Sequence, residues 1–473
     1  MKHGVYVSQM GTSVGTPNVA GSGIPFFIGT APVQSAASPA KAGVPVLCTS
    51  WSEAVEKLGY SDDWKKYTLC EAMYSHFKLF GCQPAIFLNV LDTGKMAEAV
   101  EPANIKVENG KVALPIDAIK GADLVVKDTN GAGDAYVVGK DYDTYYDGES
   151  LVIEVVAGGS CAEAKELNVA YKKVTPASVS ETEIAAGLEG IEMCLTTFGT
   201  VPDLICAPGF SNYTTVAAVM ATKAAGINGM FPAKALIDIG TGADGAKTYD
   251  AVLGVKNNAN LIDENEIICW PCLKLGDKVF HMSTQLAGRM ALTDTDNGGC
   301  PYESPSSKAF QADGICLEDG TEVSLTLDQA NNLNGSGVVT ALNFMGGWKC
   351  WGNYTACYPG NTDVKDYFIP VSRMFGWVAS TLVRTFWGSL DKPMNRRLID
   401  TIMDTVGIWL NGLVGAGYIL GGRCEFNEAE NPVTNLMAGI IKIHIYLTPP
   451  SPAQEIDFVL EYDASYVTQA LQA

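Results

Sequence analysis

The sequence has little of what nucleic-acid-binding and membrane proteins need. Its formal net charge is −20, which disfavours a nucleic-acid-binding surface, since such a surface needs a basic face, but does not exclude a local basic patch. No apolar run approaches the roughly 20 residues that span a bilayer. The opening residues 1–8 lack the apolar centre of a signal peptide. We therefore expect a protein without membrane insertion that is made in the cytoplasm and leaves it, if at all, by a route other than secretion.

Residues suited to metal binding or catalysis are also few and scattered. The thirteen cysteines are odd in number and are expected to be free thiols in a reducing compartment. Cys269 and Cys272 form one C-x-x-C motif, but Pro271 disfavours the helix of a redox site and no second such motif completes a zinc site. Four histidines are interpreted as packing or surface residues, namely His3, His76, His281 and His444. The sequence thus predicts no catalytic, cofactor-binding or metal site.

One short stretch does suggest an enzyme. Asp128 to Asp134 reads D-T-N-G-A-G-D and resembles the anion-hole motif of ribokinase-type sugar kinases. In that motif a helix N-terminus holds the phosphate and the last aspartate acts as a base. Here Asp134 is followed by β-branched and aromatic residues, which favour a strand. We predict a glycine-rich turn between two strands. Gly240–Gly245 could also cradle a phosphate, but without the Lys-Ser/Thr end of a P-loop it is interpreted as a loop.

The order of patterns predicts an α/β protein of several domains, with a mixed α/β core, an inserted all-β domain and a C-terminal α+β domain. Buried-strand runs alternate with helical patterns before residue 95 and after residue 180. Between them the pattern has period two, with turns at Asn109-Gly110 and Asp147-Gly148. The expected divisions are an arm at 1–23, core segments at 24–95 and 180–360, the insertion at 96–179 and the C-terminal domain at 361–473.

Both ends of the chain resemble single strands. Val5 and Val7 share one face of the first, which a glycine-rich stretch separates from the body. Ile456, Phe458, Leu460 and Tyr462 share one face of the last. Because a lone strand is not stable, each must join a sheet, and pairing with another copy would produce a polymer. The alternating segment Gly439–Pro449 is the natural acceptor.

A helical segment before that acceptor differs from the rest in charge. Between Val371 and Asp404 five basic residues oppose three acidic ones, in a chain of net charge −20. This excess favours a docking face for an acidic partner. An ordinary solvated helix face is the alternative.

Several segments, in this order, resemble the sheath subunits of contractile tails, such as those of myophages and R-type bacteriocins. They include "IPFFIGTAPV" at 24–33, the helices at 51–77 and "PDLICAPGF" at 202–210. The resemblance is most specific at 369–387 and at 435–463, where a glycine-led strand ends at a proline pair and a Pro-Ala-x-Glu strand follows.

The resemblance implies stacked hexameric rings around an inner tube, joined by exchanged strands, that contract to drive the tube through a cell envelope. It implies partners in the tube, baseplate and tail terminator proteins. It also implies assembly in the bacterial cytoplasm and, after lysis, a phage or bacteriocin-like particle. The implied strand donors are Gly4, Val5, Tyr6, Val7, Ser8, Glu455, Ile456, Asp457, Phe458, Val459, Leu460, Glu461 and Tyr462. The implied acceptor residues are Ile440, Ile441, Lys442, Ile443, His444, Ile445, Tyr446 and Leu447. The implied tube-facing residues are Arg373, Arg384, Lys392, Arg396 and Arg397, of which Arg396 and Arg397 are the first choices.

Two alternatives from other classes stay open at the level of sequence. A phosphate-handling enzyme would use Asp134 and would turn over ATP. A receptor-binding or surface-layer protein would lie at a tip or on a cell surface rather than along a tail shaft.

Overall fold

A computed structural model describes residues 16–243 and 245–472. Its centre is an eight-stranded sheet. The strands are β1 (Pro25–Gly29), β2 (Val46–Cys48), β3 (Ala85–Asn89), β10 (Leu204–Cys206), β11 (Lys234–Asp238), β12 (Glu266–Cys269), β17 (Val338–Leu342) and β18 (Lys349–Trp351). Their order in the sheet is β18-β17-β12-β11-β10-β1-β3-β2. The inner six run parallel, and β2 and β18 close the edges in antiparallel orientation. β1, β3 and β11 are buried along their whole length, as expected for parallel strands covered on both faces.

Helices cover this sheet, and several of them begin at a capping side chain. They are α1 (Trp51–Leu58), α2 (Thr68–Met73), α3 (Glu181–Gly187), α4 (Met193–Phe198), α5 (Thr214–Ala225), α6 (Tyr249–Asn258), α7 (Met282–Asp296), α8 (Leu327–Gly335) and α9 (Val364–Tyr367). At α1 the Ser50 side chain caps the helix by accepting a hydrogen bond from the Glu53 backbone N–H. A small four-stranded sheet also packs here, made of β13 (Cys272–Leu275), β14 (Lys278–Phe280), β15 (Gly314–Cys316) and β16 (Glu322–Val323).

Residues 97–174 form two three-stranded antiparallel sheets with a hydrophobic core of their own. The strands are β4 (Ala97–Lys106), β5 (Lys111–Pro115), β6 (Val125–Lys127), β7 (Tyr142–Asp147), β8 (Ser150–Val155) and β9 (Glu166–Val174). The chain enters and leaves this module side by side, since Ala97 pairs with Val174. Glu149 binds the Ser61 hydroxyl and the Asp62 N–H, and thereby joins the module to the body.

The C-terminal part has a separate core built on two long helices. Its elements are α10 (Ile369–Phe386), α11 (Arg396–Gly415), β19 (Gly421–Glu425), α12 (Val433–Met437), β20 (His444–Thr448) and α13 (Ser465–Gln472). Trp377 of α10 and Leu410 of α11 meet in this core, and Ala20 from the start of the chain packs with them. The predicted mixed α/β fold class is confirmed.

Candidate assembly site

Two short strands near the C-terminus form a sheet with open edges. β19 and β20 pair with each other in antiparallel register, with Cys424 opposite Ile445. Among the described residues no further strand joins this sheet, so both outer edges keep unpaired backbone groups. Ile445 and Leu447 pack against the C-terminal core, while Arg423 lies over the Tyr446 ring at 4.0 Å on the other face. A two-stranded sheet is marginal alone and gains from added strands.

The predicted acceptor Ile440–Leu447 is only partly a strand. His444 to Leu447 lie in β20, whereas residues 440–443 have no regular structure. The cause is Asn431, whose side chain accepts from the Lys442 N–H and donates to the Lys442 carbonyl, both at 2.8 Å. These bonds satisfy the backbone groups that a longer strand would have used. The strand prediction over residues 440–443 is therefore wrong within this protomer, and Thr448 extends β20 instead.

The C-terminal donor segment is exposed and has no partner in the described part of the protomer. Residues 455–462 form no strand and make no backbone hydrogen bond to the rest of the described chain. Ile456, Phe458, Leu460 and Tyr462 are between 70% and 95% exposed. An alternating apolar strip of this kind on an unpaired segment is unfavourable in water and marks an interaction site.

The N-terminal donor Gly4–Ser8 lies outside the described residues. The chain is described from Thr16, and residues 16–24 run along α10 toward β1.

The structure separates the five predicted tube-facing cations. Lys392, Arg396 and Arg397 are exposed near the start of α11, and Arg384 is half-buried on α10. Arg396 forms an exposed ion pair with Asp400 at 2.9 Å. Both Arg396 and Arg397 lie in the first helical turn, where the helix dipole disfavours positive charge by about 0.3–1 kcal/mol.

The prediction that Arg373 faces the tube is corrected here, because its side chain is buried. Its guanidinium donates to both carboxylate oxygens of Asp294, at 3.0 and 2.5 Å, and to Asp203 at 2.7 Å. Asp294 is fully buried on α7, and Asp203 precedes β10. Arg373 therefore joins α10 to the α/β core and cannot face a partner.

The segments that suggested an enzyme have local structural roles. Asp128 caps a short 3₁₀ turn at Thr129–Gly131, and Asp134 is exposed with no helix after it. The predicted turn between strands is thus confirmed. Cys269 ends β12 and Cys272 begins β13; both are buried, and burial raises the pKa of both thiols well above the usual value. No cluster of metal-ligating side chains occurs within residues 16–243 and 245–472.

The sequence did not predict the contact between Glu71, which is buried, and His281, which is partly buried. The Glu71 carboxylate accepts from the His281 N–H at 2.6 Å and lies 2.8 Å from His281 Nδ1. Burial by itself lowers the pKa of His281, but Glu71 raises it more, to about 10. The two residues are 210 positions apart, so no local pattern could have linked them. The pair ties α2 to the start of α7 below a crevice of about 690 Å³ at the carboxyl ends of the parallel strands.

Within the described part of the chain, no helix is long and apolar enough to cross a membrane. No family model matches the sequence.

Individual proteins do match, one of them over almost the whole length. A tail sheath protein of Burkholderia phage BcepMu is 25% identical over 98% of this chain and 97% of its own. The tail sheath protein of Escherichia phage P2 is 31% identical over 45% of this chain and 53% of its own.

Solved structures share the fold. The sheath of the PVC extracellular contractile injection system, in its contracted state, has a TM-score of 0.60 at 14% identity and covers 98% of this chain and 99% of that one. The contracted helical sheath of the anti-feeding prophage has a TM-score of 0.60 over 97% of this chain.

These matches give no support to the sugar kinase or the surface-protein alternative. The comparisons support the contractile tail sheath family for this chain, because its similarity to a tail sheath protein and its shared fold with solved sheaths both extend over nearly its whole length.

Proposed function

We propose that the chain polymerises as stacked hexameric rings around an inner tube, joined by exchanged strands, and contracts to drive that tube through a target cell envelope. Glu455–Tyr462 is a donated strand, as is Gly4–Ser8, and the β19–β20 sheet of another copy accepts them. The observation that carries this proposal is the unpaired, exposed apolar strip at residues 456–462 beside a sheet with two open edges. The strip lacks a strand to pair with, and the sheet has unpaired backbone groups along its edges.

In such an assembly the exchanged strands hold the subunits together strongly, and the contacts with the inner tube are weaker. Strand exchange satisfies several backbone groups at once, each hydrogen bond contributing about 0.5–1.5 kcal/mol. Arg384, Lys392, Arg396 and Arg397 face the tube, where exposed ion pairs contribute only about 0–1 kcal/mol each. The two arginines in the first turn of α11 oppose the helix dipole, which supports a role outside their own protomer. The contacts with the tube can therefore break during contraction while the exchanged strands keep the subunits connected.

The remaining assignments follow from the same mechanism. The partners are other copies of the chain, the tube protein, and the baseplate and tail terminator proteins. Assembly takes place in the bacterial cytoplasm, and the particle is released by lysis. The energy for contraction is stored in the extended assembly, so the chain acts without a nucleotide, a cofactor or enzymatic activity, and it neither binds nucleic acid nor enters a membrane.

Electron microscopy of the purified chain, with and without its tube protein, tests strand donation. Replacing Phe458 and Leu460 with aspartate should abolish ring stacks while leaving a folded monomer, because the donated strand could no longer bury its apolar face. The matched control replaces Val137 and Val138, which are 53% and 59% exposed in the inserted module, with aspartate. Regular sheaths from the Phe458/Leu460 variant would refute donation by this segment.

Deleting residues 1–10 tests the second donor in the same assay. We expect folded monomers that cannot build a sheath. Polymers of normal order from this truncation would contradict donation by the N-terminal arm.

Co-sedimentation with the tube protein at increasing salt tests the proposed ionic contacts with the tube. Changing Arg396 and Arg397 to glutamate should weaken tube binding and remove most of its salt dependence. The exposed residues Lys65 and Lys247 of the core, changed in the same way, serve as the charge-matched control. Equal loss in both variants would show that net charge, rather than this face, governs binding.

A further inference from the structure

One stripe of α10 lies along the first described part of the chain. Arg373, Trp377, Thr381 and Thr385 occur at every fourth position and therefore share a face of the helix. The segment against this face is Asn18–Ile24, which links residues 1–17 to β1.

Three residues of the stripe form hydrogen bonds directly with the segment. The Asn18 N–H donates to Thr385 Oγ1 at 3.0 Å, and the Ala20 N–H donates to Thr381 Oγ1 at 3.1 Å. Trp377 Nε1 donates to the Ala20 carbonyl at 3.0 Å. Ala20 itself is buried, so its backbone groups depend on these partners.

The hydrogen-bonding groups have nearly the same spacing along the segment as along α10. Two residues of extended chain, from Asn18 to Ala20, advance about 6.6 Å. Four residues of helix, from Thr385 to Thr381, advance about 6.0 Å. An extended segment running antiparallel to α10 can therefore pair every second residue with every fourth helical residue, as the bonds do here.

The inner end of the segment is fixed to the same helix through charge. The N–H groups of Gly23 and Ile24 donate to the Asp203 carboxylate at 3.1 and 2.7 Å, and Asp203 accepts from Arg373. Gly23 has a φ of +68°, and a Cβ there would lie 2.7 Å from the Ala291 Cα of α7. The segment is thus seated tightly along α10 and α7.

We propose that Thr381, Thr385 and Trp377 are positioning residues that fix where the N-terminal arm leaves the body, and so set the distance between the subunits that the arm joins. This inference rests on the proposed strand donation. Freed from α10, the seven residues Asn18–Ile24 would add up to about 23 Å to the reach of the arm. Slack of this size would let neighbouring subunits vary in spacing.

The test compares Thr381→Val/Thr385→Val with Thr381→Ser/Thr385→Ser. Valine keeps the shape of threonine but leaves the Ala20 N–H without its acceptor, whereas serine keeps the hydroxyl. Thr401→Val/Thr405→Val on α11 is the matched control, because those hydroxyls donate only to carbonyls of their own helix. Amide hydrogen exchange of the monomer and the helical order of assembled sheaths are measured for each variant.

The valine pair on α10 should speed exchange at Asn18 and Ala20 about tenfold and yield sheaths of irregular subunit spacing. The serine pair and the α11 pair should match wild type in both measurements. Unchanged exchange and regular spacing in the α10 valine pair would overturn this inference and leave strand donation intact. A wild-type chain that builds no sheath would instead remove the proposed function together with the inference.

Discussion

Replacing Arg373 with methionine tests the buried contact between the C-terminal helices and the core. Methionine is apolar and unbranched, but it leaves Asp294 fully buried without its cation. Breaking a buried ion pair on one side typically costs about 3–5 kcal/mol, because the remaining charge is uncompensated. We expect a loss of that size in the free energy of unfolding, measured on the monomer by urea denaturation with tryptophan fluorescence. Arg397→Met, at an exposed position on α11, should change it by less than about 0.5 kcal/mol.

The dependence on pH separates a buried charge from simple loss of packing. Burial raises the pKa of Asp294, and Arg373 lowers it. Without Arg373 only the burial effect is left, so Asp294 is protonated at a higher pH and the deficit should shrink between pH 7 and pH 5. Adding Asp294→Asn should likewise recover part of the loss at pH 7. An Arg373→Met variant as stable as Arg397→Met, or a deficit independent of pH, would refute the reasoning.

Three further predictions concern single positions. Gly23→Ala should destabilise the monomer by about 1–2 kcal/mol or more in urea denaturation, since φ is positive and the new methyl meets Ala291; an unchanged midpoint would contradict the seating of the segment on α7. Glu71 raises the pKa of His281 above its unfolded value of 6.5 to about 10, so this pair stabilises the fold fully below pH 6.5 and the contribution falls as pH rises toward 10. His281→Gln should flatten that part of the stability profile, and a profile identical to wild type would count against the pair. Asp134→Asn should leave stability within about 0.5 kcal/mol and sheath assembly unchanged, whereas ATP turnover lost in this variant would restore the kinase hypothesis.

Local signals in the sequence predicted local structure well. The Ser50 cap sets the start of α1, and the Asp147-Gly148 pair forms the hairpin between β7 and β8 as expected. The turn after Asp128 was also predictable, because β-branched and aromatic residues follow it. In each case the deciding residues lie within a few positions of one another.

Features that depend on distant partners were not predictable. Arg373 looked like one more exposed cation, since its partners lie 79 and 170 positions away. Residues 440–443 have a strand pattern, yet the Asn431 side chain forms hydrogen bonds with the N–H and carbonyl groups of Lys442 that a strand would use. Residues 455–462 also have a strand pattern but form none in the protomer, because a strand requires a neighbour.

The chain leaves the core at Ala97 and re-enters it at Val174, and the pairing of these two residues affects how such proteins can diversify. Opposite residues of an antiparallel pair lie about 5 Å apart, so the chain leaves the core and returns almost at one point. A foreign domain with adjacent termini could replace residues 98–173 without displacing any strand of the central sheet. The core residues that would lose hydrogen bonds include Gln34, Ser61, Asp62, Lys66 and Tyr67. The inserted module can therefore be exchanged as a unit while the central sheet stays unchanged.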